Sequence, residues 1–259
     1  MNASYAPGEM MTIAASRLLK NGDVCFVGIG RPNAAANLAR LTHAPEIVLV
    51  YESGAIGAKP ATLPISIGDD VIAERAQTIV SIPEIFTYWL QGGRIGIGFL
   101  GAAQIDRFAN INTTVIGSYA RPQSRLPGAG GAPEIATHAR EVFVIMDQSL
   151  RSFVKKLDFL TTVGHLDGGD SRARTGARGA GPSVVITQLG VLRPDPASKE
   201  LVLTQIHPTA SVEDARAATG WELRVADDCR TTEPPTPDEL AALRALNASR
   251  AATPRSSRL

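Results

Sequence analysis

Glu52 stands where a hydrophobic run, Ile47-Val48-Leu49-Val50-Tyr51, gives way to Ser53-Gly54. Such a run reads as a strand buried on both faces, the kind found in parallel sheets. In open α/β sheets ligands gather outside the carboxyl ends of the strands. A carboxylate placed there, followed by a glycine that lets the backbone turn, is well placed for chemistry. The plainer reading is that Glu52 marks the return of the chain to solvent. A second stretch with chemical capacity is Leu126 to Glu134, where Gly128, Gly130 and Gly131 precede a short helical pattern reaching His138. Glycines there can aim several N–H groups at one point, which suits an oxyanion or a phosphate, and they equally suit a flexible turn. Gln104, Asn110 and Asn112 follow the glycine-broken strand pattern Ile95 to Leu100. They are candidates for positioning a substrate, although Asn and Asp also make turns by themselves.

The elements that must carry these residues alternate along the chain. Helical periodicity spans Met10 to Lys20, and Val24-Cys25-Phe26-Val27 is a short strand leading into Gly28-Ile29-Gly30 and a helix from Ala34 to Leu41. Asn33 occupies the place of the third glycine in a dinucleotide fingerprint, so nicotinamide or flavin binding is not expected from this turn. Pro83 opens a helix through Gln91, and Val142 to Met146 is a further buried strand. Strands alternating with helices over this length predict an α/β fold, a mostly parallel open sheet with helices on both faces. Further on, Val184 to Thr187 and Leu201 to Thr204 read as paired strands on either side of a turn region at Gly190 and Pro194. Between Gly164 and Pro182 lies a long glycine-rich loop whose Arg172, Arg174 and Arg178 are candidates for the phosphates of a large anionic ligand. Ser211 caps a helix to Thr219, and Thr236-Pro237-Asp238-Glu239 starts the last one with a capping box. Residues 1–248 read as a single α/β domain and 249–259 as a disordered tail.

Composition excludes several classes of function. With 259 residues, 44% hydrophobic, the chain is an ordinary globular protein, and its formal net charge of +1 supplies no field for nucleic acid or an anionic membrane. No stretch of about 18 apolar residues is present, and the first residues lack the layout of a secretory signal, so a cytoplasmic location is expected. Cys25 and Cys229 have no metal-type spacing, nor do His43, His138, His165 and His207; neither a metal nor a disulfide is expected.

Tyr51-Glu52-Ser53-Gly54, Phe99-Leu100-Gly101-Ala102-Ala103-Gln104-Ile105-Asp106, Asn110-Ile111-Asn112-Thr113-Thr114 and Pro127-Gly128-Ala129-Gly130-Gly131-Ala132 occur in this order. In this the chain resembles the beta subunits of class I coenzyme A transferases of the glutaconate CoA-transferase type, over nearly everything from Glu9 to about Leu246. The resemblance implies a CoA-transferase (NagB/RpiA-like) fold, with Glu52 as nucleophile and Gly128, Gly130 and Gly131 as the oxyanion and CoA-binding loop. It implies CoA transfer from succinyl-CoA to 3-oxoadipate through a glutamyl-CoA thioester. The alternatives are another diacid acceptor such as glutaconate, a ring-opening or thioester hydrolase of the same family, or a non-catalytic subunit. It further implies an alpha-subunit partner in an α2β2 assembly, CoA thioester as substrate and no bound cofactor. Two positions depart from the family pattern. Ala109 stands where relatives have Gly, which is expected to forbid a positive φ, and Ser118 stands where many have Asp.

Overall fold

Pro7 at the first position of helix α1 (Pro7–Ser16), with the Glu9 carboxylate accepting from the Ala6 N–H at 2.8 Å, opens the computed structural model, which describes residues 4–252. The helix ends before the expected Lys20, because Leu18 and Leu19 bond back to Ala15 and Ser16 as tight i+3 turns. The chain divides into two units, one of residues up to Ile85 together with those from Pro235 on, the other Phe86–Pro234. The sequence alone reads residues 1–248 as a single domain.

In the first unit, β1 (Val24–Phe26), α2 (Arg31–Leu41) and β2 (Val48–Val50) form a strand-helix-strand motif in which β1 and β2 pair in parallel from Val24↔Val48 to Phe26↔Val50. The chain then reverses into β3 (Ala55–Ile56), antiparallel to β2, and β4 (Thr78–Ile79) pairs antiparallel with β3. Ser81 and Glu84 cap the single turn α3 (Ile82–Glu84), which continues as a wide π-helical turn from Ile85 to Leu90 instead of the regular helix expected from Pro83.

The second unit opens with β5 (Ile97–Leu100), followed by two short antiparallel ladders. These are β6 (Gln104–Ile105) with β7 (Ile111–Asn112), and β8 (Val115–Gly117) with β9 (Pro122–Arg125). Helix α4 (Ala132–His138) packs on β5 at Gly98, where any Cβ would lie 2.3 Å from the Ile135 side chain. Next, β10 (Glu141–Ile145) pairs in parallel with β5 on one side and with β11 (Pro182–Ile186) on the other, and Phe99 meets Phe143 edge-on at 5.6 Å. Beyond β11 the expectation of two directly paired strands needs correction. Gly190–Pro194, expected as a turn region, is itself strand β12, and it lies antiparallel between β11 and β13 (Leu201–Ile206). Its run Val191-Leu192 is buried and matches a strand, but the flanking Gly and Pro disguise it. Helix α5 (Val212–Ala217) and an exposed strand β14 (Arg224–Thr231), parallel to β13, complete this unit. Parallel pairings thus run through both units of this α/β fold, with antiparallel strands added beyond them.

The last helix, α6 (Pro237–Ala252), belongs to the first unit. Its Leu240, Leu243 and Leu246 join Ile13, Ala34, Leu38 and Leu63 in one buried cluster, and Arg17 pairs with Glu239 at 2.6 Å. Helix α6 extends into the stretch expected as a tail; residues 253–259 lie outside the described residues.

Candidate active site

Two hydrogen bonds fold the chain back at Glu52. The Gly54 N–H donates to the Tyr51 carbonyl at 3.0 Å, and the Tyr51 N–H donates to the Ala55 carbonyl at 2.9 Å, so Glu52 and Ser53 form the tip of a tight turn between β2 and β3. Gly54 is required there. It has φ +112°, and a Cβ would lie 2.0 Å from the Val80 carbonyl oxygen. Glu52 is half-buried, and among the described residues its carboxylate has no hydrogen-bond or ion-pair partner. A carboxylate kept out of internal pairing while partly withdrawn from water retains its lone pairs for a substrate.

Behind this turn lies a buried polar network that sequence reasoning missed. Tyr51 is fully buried and its hydroxyl donates to Asn33 Oδ1 at 3.0 Å. Asn37 Nδ2 donates to the same oxygen, Arg40 Nε donates to Asn37 Oδ1 at 3.1 Å, and Arg40 reaches the Pro60 carbonyl, also at 3.1 Å. Burial pushes the Tyr51 phenol up to about 12, against the opposing pull of its amide partners and Arg40. In the sequence Asn33 stands out only as a missing glycine. Its turn still needs glycine at one place, since Gly30 begins α2 with φ +91°. The available signal is an Asn-x-x-x-Asn pair, Asn33 and Asn37, on one face of a helix following that turn.

The second unit holds the glycine loop. Gly128 has φ +99° and Gly130 φ +49°, and Gly131 follows near the right-handed region at φ −82°, ψ 0°. A left-handed residue followed by a right-handed one turns successive N–H groups toward one side. Among the described residues the Gly130 and Gly131 N–H groups make no backbone hydrogen bond. Gly128 differs: its N–H is committed to the Thr113 carbonyl at 2.8 Å, so it serves the loop through its conformation and not as an oxyanion donor.

Gln104 and Asn112 are brought together, Asn110 apart from them. Asn112 Nδ2 donates to Gln104 Oε1 at 2.8 Å, Gln104 Nε2 donates to Asp158 at 2.9 Å, and Asn112 Oδ1 accepts from the Thr114 N–H. Asn110 bonds Asp106, the Leu166 carbonyl and the Gly164 N–H. All three amides are buried and engaged, so they shape the loops carrying Thr113 and Gly164 and do not offer free groups to a ligand. Between them Ala109 adopts φ +57°, the conformation it was expected to forbid. The Asp106 carboxylate, taking the Phe108 and Asn110 N–H groups, holds that turn in place. Burial raises the Asp106 pKa, with these donors and Arg107 pulling the other way.

The arginine-rich loop also departs from expectation. Arg172 is buried and donates to the carbonyls of Gly179, Gly164 and Ala136. Arg174 pairs with Asp170, and Arg178 donates to the Gln91 carbonyl. Arg172 therefore organises the loop from inside. Among the described residues no three His, Cys, Asp or Glu side chains come together as a metal-ligand set, and no helix is long and apolar enough to cross a membrane.

Comparison with known proteins agrees with this architecture. Residues 8–218 match the family described as Coenzyme A transferase. The chain is also similar to the B subunits of two known enzymes. One is 3-oxoadipate CoA-transferase of Pseudomonas knackmussii, 58% identical over 250 residues that cover 96% of each chain. The other is glutaconate CoA-transferase of Acidaminococcus fermentans, 36% identical over 230 residues that cover 86% of this chain and 85% of the other. The crystal structure of glutaconate CoA-transferase from Acidaminococcus fermentans superposes with a TM-score of 0.88 at 32% identity, covering 94% of this chain and 95% of that one. The chain belongs to the coenzyme A transferase family.

Proposed function

We propose that this chain is the beta subunit of a transferase that moves CoA from succinyl-CoA to 3-oxoadipate, with Glu52 as nucleophile. The observation that carries the reading is the half-buried Glu52 carboxylate, without a partner among the described residues, at the tip of a turn that only Gly54 permits. A carboxylate in water is a weak nucleophile because it is strongly solvated, and partial burial removes some of that solvation. A Glu52 carboxylate oxygen attacks the thioester carbonyl of the donor, and the C–S bond breaks to release CoA thiolate and leave a mixed anhydride. The thiolate then attacks the Glu52 carbonyl carbon, expelling succinate and leaving a glutamyl-CoA thioester. The acceptor carboxylate repeats these steps in reverse, so Glu52 returns as a carboxylate and kinetics are ping-pong.

Each addition creates an oxyanion, and the Gly130 and Gly131 N–H groups are its donors in this proposal. Such donors are worth roughly 3 to 4 kcal/mol each in other enzymes. The choice of 3-oxoadipate follows the name of the 58% identical relative, and glutaconate is the second acceptor to try, after the 36% identical one. Both relatives are named as B subunits, which supports an alpha-subunit partner and an α2β2 assembly. A cytoplasmic location fits these substrates. CoA enters as substrate, and the chemistry calls for no prosthetic group.

The test is mass spectrometry of the complex after incubation with succinyl-CoA and borohydride, which reduces a glutamyl thioester to an alcohol and spares free carboxylates. Modification confined to the peptide carrying Glu52 is the expected result. An unmodified Glu52 in a complex that turns over the same donor overturns the assignment.

A further inference from the structure

Tyr51 closes the turn that carries Glu52, and the Gly54 carbonyl ties its far side to the Val80 N–H at 3.0 Å. Both hydrogen bonds that close it belong to the Tyr51 backbone, whose N–H reaches Ala55 and whose carbonyl receives Gly54. Glu52 is thus bonded directly to the residue that closes the turn, and the buried Tyr51 side chain adds a second hold on that residue. That side chain ends on Asn33, at the third position of α2, and from there the chain of donors continues through Asn37 and Arg40 to the Pro60 carbonyl.

The network carries a cost that stability alone does not explain. Asn33 is 1% exposed, and among the described residues its Nδ2 has no hydrogen-bond partner. Its carbonyl oxygen is taken by Tyr51 and Asn37, which fixes the amide in the orientation that strands its own N–H groups. A buried donor without a partner destabilises the fold, whereas replacing both partners of a buried pair by apolar groups of similar shape is often neutral. Leucine at 33 and phenylalanine at 51 would occupy nearly the same space without the stranded donor. The phenol, held at about 12 by burial, stays a donor across any assay pH.

We propose that Asn33 and Tyr51 are positioning residues for Glu52: the amide fixed on the first turn of α2 holds the Tyr51 hydroxyl, and through it the turn whose tip carries the nucleophile. This rests on Glu52 being the nucleophile. Misplacement of a nucleophile by less than an ångström lowers the chemical step without affecting substrate binding elsewhere.

The test uses the purified complex with its alpha subunit, succinyl-CoA as donor and 3-oxoadipate as acceptor. Tyr51→Phe and Asn33→Leu are each expected to lower kcat by roughly ten- to a hundredfold with KM for succinyl-CoA unchanged. Both should slow the single-turnover appearance of the borohydride-trapped Glu52 adduct by the same factor. The double variant is expected to lose no more kcat than the worse single one, because the pair acts as a unit, and to melt no lower than the unsubstituted complex. Wild-type kcat in both single variants, or a loss of kcat that tracks the melting temperature through all three, overturns the proposal. A Glu52→Ala complex separates the two levels. If it is inactive while Tyr51→Phe and Asn33→Leu are fully active, the positioning role alone fails; if it turns over normally, the nucleophile itself is elsewhere.

Discussion

Thr113 grips Gly128 from both sides: its carbonyl accepts the Gly128 N–H at 2.8 Å and its hydroxyl donates to the Gly128 carbonyl at 2.7 Å. This pair fixes the start of the glycine loop and leaves the following amides uncommitted. Thr113→Val keeps the shape and removes the hydroxyl. We expect stability to fall by about 1 kcal/mol and kcat to fall more than succinyl-CoA affinity, measured by urea denaturation and steady-state kinetics of the complex. Unchanged kcat would remove the loop from the chemistry.

Gly54→Ala places a methyl on the Val80 carbonyl at a φ that L-residues rarely adopt. The cost should be at least about 2 kcal/mol, with loss of the borohydride-trapped adduct at Glu52. Thermal melting and peptide mapping read the two effects. A variant that folds and labels like wild type would mean that the turn tolerates another path.

Ala109→Gly should stabilise the protein. Ala109 is held at φ +57°, a conformation costing an alanine about 1 to 2 kcal/mol, while glycine in place of alanine costs roughly 0.4 to 1 through the unfolded chain. The net gain, up to about 1 kcal/mol, is within reach of a denaturant titration. A loss in its place would show that the Ala109 methyl packs well enough to offset its backbone.

Arg172→Met strips the carbonyls of Gly179, Gly164 and Ala136 of a shared donor. A loss of about 2 to 4 kcal/mol is expected, with KM for succinyl-CoA unchanged at temperatures where the complex is folded. A large rise in that KM with normal stability would return Arg172 to the role of phosphate ligand.

Acid should loosen the helical layer of the first unit. Burial pushes the Glu239 carboxyl up, but the Arg17 hydrogen bond and charge and the Thr236 N–H outweigh it and hold the group below the ordinary glutamate value. A lowered folded-state value means that the stabilisation is complete above the unfolded pKa, about 4.3, and is lost as pH falls through the folded one. The stability difference between wild type and Glu239→Gln, followed from about pH 6 to 3, should therefore shrink toward acid. A constant difference would assign no linkage to this pair.

How far the sequence reveals the structure depends on where each signal resides. Local signals are legible: the caps at Ser211 and Thr236 hold, as do the turn at Glu52 just after β2 and the long loop from Gly164. Strand β12 is hidden because its pairing is non-local and its edges carry turn residues. The network of Tyr51 and Asn33 is hidden for a related reason. A tyrosine that looks like core and an asparagine that looks like turn lie 18 positions apart, and only the fold of the first unit makes them partners. The arginines of the long loop illustrate the converse. Their charge suggests a ligand, but burial turns Arg172 into a structural donor, and nothing in its neighbours along the chain signals that burial.

The first unit is assembled from two segments far apart in the chain. Leu240, Leu243 and Leu246 close a cluster begun by Ile13, Ala34 and Leu38, and Arg244 reaches back to Glu9 at 2.7 Å. During synthesis, then, the turn bearing Glu52 emerges well before α6, the helix that completes this layer. A chain stopped ahead of α6 therefore carries every residue of the Glu52 motif without the leucines that complete this cluster.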